Sequence, residues 1–399
     1  MEGSFISDKN CTGCAACQDI CPSHCIEMCP NEDGFIYPYI QNQNKCINCN
    51  LCNKVCPINQ SENLMNRQVP PKAFCLLHKD MKIWSASSSG GAFSAICQAY
   101  DDGNTIIYGA AFTDVRTVKH IAVSGVDAIS PLRRSKYVQS NMSGIFASIK
   151  SNLIKGKKIL FSGTPCQVAA VKSYLQSLGV NCDRILFVDF VCHGIGSPVV
   201  FASFIDALER REGSQLVQYS FRNKKKKYFN LHSYISSILF ENGTLYFVDS
   251  DVYNKAFVNK AICRLSCFTC KYARHERCSD ITIADFKHVF RAFPGKDTDY
   301  NYSTIIFNTT KGNTLLHKLS GLCYMDECDI DFLYRNNPPL DHCSGALATR
   351  DRFFIEYRKD TTNIIDLLNK YSAKEHVTLK IWKLLPEKIR ERIKEYLGQ

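Results

Sequence analysis

Two copies of one cysteine motif constrain the fold more than any other feature of this sequence. Residues 11–22 read CTGCAACQDICP and residues 46–57 read CINCNLCNKVCP, so both copies follow the pattern C-x2-C-x2-C-x3-C-P. Ten of the 22 cysteines lie between Cys11 and Cys56. Such a density indicates either a disulfide framework in a secreted protein or thiolate ligands to metal in a reducing compartment.

The start of the chain favours metal ligands over disulfides. Position 2 is an acidic residue, and the N-terminal residues contain no apolar segment typical of a signal peptide. No run of residues approaches the roughly 18 apolar residues needed to span a bilayer. We therefore expect a cytoplasmic protein without a transmembrane segment, whose thiolates bind metal.

The spacing of the motif predicts two 4Fe-4S clusters. In two-cluster ferredoxins, three close cysteines of each copy bind one cubane and the fourth cysteine binds the other cubane. Two intervening residues let successive thiolates curl around a cluster face, and the proline ends the loop. The predicted ligands are Cys11, Cys14, Cys17 and Cys56 for one cluster, and Cys46, Cys49, Cys52 and Cys21 for the other. We expect a short helix and a turn between the copies, with Cys25 and Cys29 as structural thiols.

The rest of the chain alternates between strand and helix patterns after a polar, proline-containing linker at residues 61–72. Apolar run 157–163 precedes a helix that ends near Gly179, and run 184–192 precedes a helix that begins at Pro198. Two consecutive βα units predict parallel strands. The predicted fold class is an α/β body with parallel βα units plus an N-terminal α+β ferredoxin-like domain for two clusters.

These patterns divide the chain into four predicted parts. They are a ferredoxin-type domain at 1–62, two body domains at 73–155 and 156–345, and a helical tail at 346–399. Within the second body domain, the turn around Asn242 predicts a hairpin. The tail ends in an amphipathic basic segment, which could contact a membrane surface or a partner, although packing on the body or solvation is the simpler interpretation.

Four further cysteines predict a third cluster in the body. Cys166 and Cys192 each follow a predicted parallel strand, and α/β sheets form ligand sites at the carboxyl ends of such strands. Cys267 and Cys270 form a C-x2-C pair that completes a four-thiolate site. Spacing alone leaves open a local iron-sulfur or zinc site, formed by Cys263, Cys267, Cys270 and Cys278 with His275 nearby.

The formal charge of +11 is weak evidence for a nucleic-acid partner. Each 4Fe-4S cluster with its four thiolates adds about −2, so three clusters would lower the total to about +5. The basic run from Lys224 to Lys227 is typical of a solvated turn, and a docking patch for an acidic electron carrier is the alternative. We expect no nucleic-acid partner.

Residues 85–91, which are rich in serine and glycine, are predicted to form a loop that opens a helix. Small residues at a helix N-terminus allow backbone N–H groups to approach an anion such as a nucleotide phosphate. A serine-rich helix start is also common for structural reasons alone. The segment is therefore a candidate phosphate site rather than an established one.

Six motifs in a fixed order resemble the coenzyme F420 hydrogenase/dehydrogenase beta-subunit family. They are the ferredoxin module, SSSGGAFSAI, RRSKYVQS, SGTPCQVAAVKSYL, FVCHGIGSP and RLSCFTCKYARHERCSDITIADF. The resemblance implies a flavin, normally FAD, beside a 4Fe-4S cluster in the body. Members of this family act on different substrates, so the resemblance implies a reaction type rather than a substrate.

The resemblance also implies roles for particular residues. The flavin or its phosphates would contact Ser89, Gly90 and Gly91, and the same pocket would be lined by Lys136, Tyr137 and Gln139. His193, next to a predicted cluster ligand, is a candidate catalytic residue that would tune the cluster or relay a proton. At residues 284–287 the chain departs from the family, which usually reads Gly-Asp-Phe-Trp where this sequence reads Ala-Asp-Phe-Lys.

The leading hypothesis is an iron-sulfur flavoprotein oxidoreductase that passes electrons between a reduced cofactor or small molecule, FAD and 4Fe-4S clusters. The alternative is a non-catalytic electron-transfer subunit that serves a larger redox partner. The expected partner is an electron donor or acceptor protein such as ferredoxin, or a nicotinamide or deazaflavin cofactor.

Overall fold

The structure is a computed structural model, and it describes residues 9–66, 69–224, 235–297, 299–343 and 345–372. Lys225 to Lys227 of the basic run and the amphipathic segment near the C-terminus lie outside the described residues. None of the helices in the described ranges is long and apolar enough to cross a membrane.

Two short helices and one hairpin build the N-terminal module. Helices α1 (Ala16–Ile20) and α2 (Leu51–Lys54) each begin inside a cysteine motif. Each follows a residue in the left-handed conformation, which turns the chain sharply around the thiols. Strands β1 (Ile26–Pro30) and β2 (Ile36–Ile40) pair in antiparallel orientation.

This hairpin shows that the short helix predicted between the two motifs is wrong. Asn31 begins the turn, and its Oδ1 accepts a hydrogen bond from the Phe35 N–H at 3.0 Å. Gly34 completes the turn at a φ of 78°, a conformation that favours glycine. Phe35 and Tyr37 are buried against the body, and burial of alternate aromatic residues favours strands.

The body is built on a mixed sheet, to which the described residues contribute eight strands. Their bounds are β3 Lys72–His78, β4 Thr105–Phe112, β5 Val118–Ser124, β6 Lys158–Gly163, β7 Ile185–Phe190, β11 Ile281–Asp285, β12 Ser303–Phe307 and β13 Cys323–Cys328. The order across the sheet is β13-β3-β12-β11-β7-β6-β4-β5. Central strands β11, β7, β6 and β4 run parallel, and the outer pairs are antiparallel. The predicted parallel βα units are therefore confirmed within a sheet that is mixed.

A second, antiparallel sheet in the described part of the chain contains three strands in the order β10-β9-β8. They are β8 Leu216–Ser220, β9 Ile235–Phe240 and β10 Leu245–Asp249. Strands β9 and β10 form the hairpin that the sequence predicted around Asn242.

Helices pack on the large sheet, and the loops between strands and helices hold several of the predicted site residues. Their bounds are α3 Met81–Ser85, α4 Ala92–Tyr100, α5 Ile145–Ile154, α6 Pro165–Ser177, α7 Pro198–Glu212, α8 Val252–Val258, α9 Val289–Ala292, α10 Thr310–Asn313, α11 Leu316–Leu322, α12 Ile330–Asn336, α13 Leu347–Tyr357 and α14 Ile364–Lys370. Helix α6 starts with a capping box between Thr164 and Gln167, and α7 starts at Pro198 with Ser197 as its cap.

The two predicted body domains share one sheet, and the module, the body and the tail share one apolar core. Strands β3, β4 and β5 from residues 73–155 join the same sheet as strands from residues 156–345. One apolar core contains Phe35 of the module, Phe201 of the body and Phe354 of the tail. The module is thus packed on the body rather than tethered to it.

Candidate functional site: three groups of cysteines

The first group of thiols lines a cavity of about 310 Å³ in the N-terminal module, and it consists of Cys11, Cys14, Cys17 and Cys56. Burial, followed by the neighbouring Cys56 and Cys11, raises the pKa of Cys14 to about 12. The Gly13 N–H points at Cys11 Sγ at 3.4 Å, as backbone donors do around ligand sulfurs. Thiols packed this closely stay protonated at neutral pH unless a metal holds them as thiolates, so the donor set fits a 4Fe-4S cluster.

The second group combines Cys21 with the cysteines of the second motif. Cys21 packs in a small apolar cluster with Cys46 and Cys52. Burial raises the pKa of Cys52, and the neighbouring Cys49 and Cys21 raise it further. Because Cys49 is exposed, this group opens to solvent, whereas most of the first group is buried.

Cys25 is a fifth thiol beside the second group. It is buried, and its Sγ lies 3.5 Å from Cys21 Sγ. Cys29 lies in β1 opposite Tyr37 of β2.

The third group lies in the body and lines a cavity of about 700 Å³ with Cys166, Cys192, Cys267 and Cys270. Cys166 is in the first turn of α6 directly after β6, and Cys192 follows β7. Cys267 lies in a 3-10 turn, Leu265–Thr269, which Cys270 ends. Burial raises the pKa of Cys166, and Cys270 and Cys192 raise it further, so the four thiols converge although 104 residues separate the first from the last.

Of the competing local set, Cys263 and Cys278 do not line this cavity, although burial and then the neighbouring Cys263 raise the pKa of Cys267. Cys263 Sγ points to the Phe257 carbonyl and Cys278 Sγ to the Pro165 carbonyl, at 3.9 and 3.3 Å. The His275 ring stacks on Tyr334, with ring centroids 3.8 Å apart. In the described ranges, no three His, Cys, Asp or Glu side chains lie close enough to hold a single metal ion.

The first and third cavities are neighbours. Thr12 lines both of them, and Cys14 is close enough to Cys166 to contribute to the rise of its pKa. Tyr272, two residues after Cys270, donates from its hydroxyl to the Pro57 carbonyl of the module at 2.6 Å. Contacts of this kind fix the module on the body at the point where the two thiol groups approach each other.

His193 also lines the third cavity, and cationic side chains lie around it. Burial, followed by Lys260 and Lys287, lowers the pKa of His193 to about 4, so the imidazole is neutral near pH 7. Arg222 donates to Asp285 at 2.6 Å, and although burial acts in the opposite sense, this contact holds the pKa of Asp285 below its usual range. The cation-rich region therefore begins beside the third group.

Two further cations hold the loop between α3 and α4. The Lys224 ammonium donates to the carbonyls of Trp84, at 2.6 Å, and Ser89. Arg134 donates to the Ala86 carbonyl at 3.3 Å. Burial, followed by Arg222, lowers the pKa of Lys224 to about 6, and burial lowers the pKa of Arg134. This region, which we call the cationic cleft, comprises Arg134, Arg222, Lys224, Lys287 and the loop 84–89.

The glycine pair predicted to contact a flavin is used for close packing against the sheet. A Cβ at Gly90 would collide with the Leu76 carbonyl of β3, and one at Gly91, where φ is 96°, would lie 2.8 Å from His78 Cβ. Ser89 Oγ donates to the Tyr302 carbonyl at 2.6 Å. The backbone of the loop, rather than these side chains, faces Lys224 and Arg134.

The other three predicted pocket residues make different contacts. Lys136 donates to the Pro131 and Arg133 carbonyls at 2.9 and 2.7 Å, and burial followed by Arg134 lowers its pKa to about 7. The Tyr137 ring stacks on Phe257, with centroids 4.7 Å apart. Gln139 is buried and donates to the Thr12 carbonyl of the module at 3.4 Å. Of the three, Lys136 lies next to the cationic cleft and Gln139 lies at the module contact.

Several residues at these sites have no signal in the sequence. Thr12, Lys260 and Cys343 all line the third cavity, and Arg134 and Lys224 shape the cationic cleft. Arg134 precedes Lys136 in a motif that the resemblance singled out, and Lys224 begins the basic run. The partners of Arg134 and Lys224 lie 48 and 135 or more residues away, so no local pattern indicated the contacts.

Known proteins share both halves of this arrangement. Residues 10–60 match the family model of the 4Fe-4S dicluster domain, and residues 156–331 match the model for the C terminus of the coenzyme F420 hydrogenase/dehydrogenase beta subunit. An uncharacterized polyferredoxin-like protein of Methanocaldococcus jannaschii is 33% identical over 60 residues, which are 13% of this chain and 36% of that protein. The chain thus spans about a third of the length of that curated relative.

One solved structure is also similar. It is a chain of the F420-reducing NiFe hydrogenase complex from Methanosarcina barkeri, with 17% identity and a TM-score of 0.42. The similarity covers 82% of this chain and 96% of that chain. Taken together, the two family matches show a C-terminal domain of the coenzyme F420 hydrogenase/dehydrogenase beta-subunit family at residues 156–331 and an N-terminal 4Fe-4S dicluster domain at residues 10–60.

Proposed function

We propose that this protein is an iron-sulfur flavoprotein oxidoreductase that transfers electrons between a reduced cofactor or small molecule in the body and an electron carrier at the module. One observation carries the proposal. The third thiol group adjoins both the first thiol group, at Thr12, and the cationic cleft, at His193. This arrangement is what a relay between a substrate pocket and a ferredoxin module requires.

The proposed ligands are the three groups described above. The first cluster would be held by Cys11, Cys14, Cys17 and Cys56, the second by Cys21, Cys46, Cys49 and Cys52, and the third by Cys166, Cys192, Cys267 and Cys270. The convergence of the thiols supports each set, and burial with neighbouring thiols raises the pKa of Cys14 in the first, Cys52 in the second and Cys166 in the third. Such clusters supply one-electron chemistry when bound.

The cationic cleft fits the phosphates of FAD. Arg134 and Lys224 are half-buried, both have lowered pKa values, and both donate to carbonyls of the loop 84–89. An anion placed among them would restore the charged forms that burial disfavours. FAD, when bound, would exchange a hydride, which carries two electrons, with the substrate and single electrons with a cluster.

In this proposal, residues of the chain bind and orient rather than transfer electrons themselves. Arg134, Lys136 and Lys224 would bind the phosphates, and the backbone of residues 89–91 would line the same side of the pocket. His193, neutral and next to Cys192, would act as a hydrogen-bonding group between the third cluster and the pocket. Tyr137 and Gln139 would support this wall through their contacts with Phe257 and Thr12.

The second thiol group is the proposed docking site for the electron carrier. Cys49 is exposed, and the Ile47 side chain is 65% exposed. The segment 41–54 contains seven Asn or Gln, two Lys and no acidic residue. A carrier with an acidic or neutral surface, such as a ferredoxin, fits this face.

Anaerobic purification tests the proposal directly. We expect about twelve irons per chain, from three clusters of four, together with one FAD. The FAD should be displaced by high salt or by Lys224→Gln. Protein with full iron and no flavin under all reductive conditions would count against the oxidoreductase.

A non-catalytic electron-transfer subunit is the second candidate. It is favoured by Lys287, which occupies a position where the resembling family usually has an aromatic residue and which lies close to Asp285 and His193. A flavin-free protein that still reduces a separate redox enzyme through its clusters would support this candidate.

A further inference from the structure

Arg264 is a buried arginine without a carboxylate partner among the described residues. Its side chain is fully buried. Nε donates to the Cys11 carbonyl at 2.7 Å, one terminal nitrogen donates to Gln139 Oε1 at 3.2 Å, and the other donates to the Ile36 carbonyl at 3.0 Å. All three acceptors are neutral, so the positive charge has no ion pair within the described part of the chain.

The other two fully or nearly buried arginines behave differently. Arg277 pairs with Asp189 at 2.9 Å, and Arg350 pairs with Asp33 at 2.6 Å. A buried charge without a counter-ion costs several kcal/mol, which explains why both of these pairs exist. The same argument requires a negative charge near Arg264.

The ligand loop of the first thiol group approaches Arg264 too closely for a side chain at position 13. A Cβ added at Gly13 would lie 2.9 Å from a terminal nitrogen of Arg264. The guanidinium also lies over the Tyr37 ring, with its carbon 4.1 Å from the ring centroid. The cation is thus enclosed between the ligand loop of the first thiol group and the β2 strand.

The backbone of Arg264 is hydrogen-bonded to the segments that carry two cysteines of the third thiol group. Its N–H donates to the Ile195 carbonyl, in the loop after Cys192, and its carbonyl accepts from the Cys267 N–H, both at 3.0 Å. The residue therefore touches ligand segments of the first group with its side chain and those of the third group with its main chain.

We propose that Arg264 is a positioning residue whose charge is balanced by the clusters themselves, chiefly the first one. This inference rests on the proposed cluster ligands and does not depend on the flavin. A four-thiolate 4Fe-4S cluster gains one negative charge on reduction, and a fixed cation nearby stabilises the reduced form. Arg264 would therefore raise the reduction potential of the first cluster and favour electron arrival there from the third.

The test uses full-length protein, purified anaerobically, in three forms besides the wild type. Arg264→Gln removes the charge, and Arg264→Lys keeps it. The matched control, Asp33→Asn with Arg350→Gln, removes a buried arginine together with its partner. Each protein is titrated electrochemically while the clusters are followed by EPR, and iron is counted in parallel.

We expect the Gln variant to keep its irons and to show a lower midpoint potential for one cluster. At fixed ambient potential, the reduced-to-oxidised ratio of that cluster should fall about tenfold, which equals about 59 mV for a one-electron couple. The Lys variant and the control should stay close to the wild type.

Three other results would decide for or against the role of Arg264, and a fourth separates it from the proposed function. Unchanged midpoints in an iron-replete Gln variant would overturn it, because the arginine would then be structural only. If the Gln variant loses iron, a Lys variant with restored iron and potential supports the charge, and a Lys variant that also loses iron refutes it. Wild-type protein with all clusters but no FAD would refute the proposed oxidoreductase and leave this measurement intact.

Discussion

The two copies of the cysteine motif have the same spacing but opposite surroundings. Thr12 and Gly13 of the first copy correspond to Ile47 and Asn48 of the second. Gly13 and Asn48 both have positive φ, at 66° and 54°, so the ligand loops turn alike. Thr12 lines the contact with the body, whereas Ile47 is 65% exposed.

The motif therefore determines the conformation of the loop that holds the thiols, whereas contacts with the body determine how exposed each cluster site is. Arg264 and Gln139 bond to the Cys11 and Thr12 carbonyls of the first copy, and Cys14 neighbours Cys166, so the third thiol group is its neighbour. The second copy is left open to solvent. One duplicated unit can therefore serve as an inner and an outer end of the same relay.

The largest expected effect comes from removing one cysteine ligand from each copy of the motif, because this separates the role of the inner cluster site from that of the outer one. Cys14→Ser and Cys49→Ser are each expected to lose one cluster, about four irons of about twelve. The Cys14 variant should also fail to reduce the second cluster from the body, because the inner contact is lost. The measurement is EPR after photoreduction of the bound flavin, with iron analysis. If the Cys49 variant also failed to reduce the first and third clusters, the assignment of inner and outer ends would be wrong.

Substitutions at the equivalent loop positions 13 and 48 should have the second largest effect, which is on the stability of the protein. Gly13→Ala should destabilise the protein by about 2–4 kcal/mol, from backbone strain and from collisions with Gln139 and the Ile36 carbonyl. Asn48→Ala should cost about 1 kcal/mol, since the strained φ applies there and the substitution removes only an exposed contact of Asn48 Oδ1 with Cys46 Sγ at 3.7 Å.

The readout for these variants is the apparent melting temperature of iron-replete protein. Gly103→Ala is the matched control, because Gly103 has a φ of 82° and open space around its Cα. Equal losses at positions 13 and 48 would show that the module does not depend on the body for its packing.

The sequence predicted the duplicated motif, the parallel βα units and the convergence of Cys166 with Cys192, because each depends on local spacing or on the order of strands. It failed between the motifs, where Asn31 and Gly34 turn the chain into a hairpin instead of a helix. The contact of Arg264 with Cys11 joins residues 253 positions apart and leaves no periodic trace. Gly90 looked like a phosphate-binding residue, yet the carbonyl of Leu76 explains its size.

Lys224 at the inner end of the proposed relay and Lys45 at the outer end should differ in their effect on FAD affinity. Lys224 is half-buried in the cationic cleft, and Lys224→Gln should weaken FAD binding about tenfold, as expected for loss of one charge-assisted hydrogen bond. Lys45→Gln, an exposed lysine in the outer ligand segment, should leave FAD binding unchanged. Equilibrium binding of FAD to flavin-depleted protein measures both. An unaltered affinity in the Lys224 variant would remove the cleft as the phosphate site.

The smallest effect concerns the outer end alone. Lys45 and Lys54 are exposed next to the second thiol group, in a segment without acidic residues. Lys45→Glu with Lys54→Glu should slow electron transfer to an acidic ferredoxin about three- to tenfold at low salt, since surface charges mainly steer encounter. The difference should vanish at high salt, where charges separated by more than about 3 Å are screened. Lys318→Glu, on exposed α11, is the control. An equal slowing by the control, or slowing that persists in salt, would mean that carriers do not dock where the second motif opens to solvent.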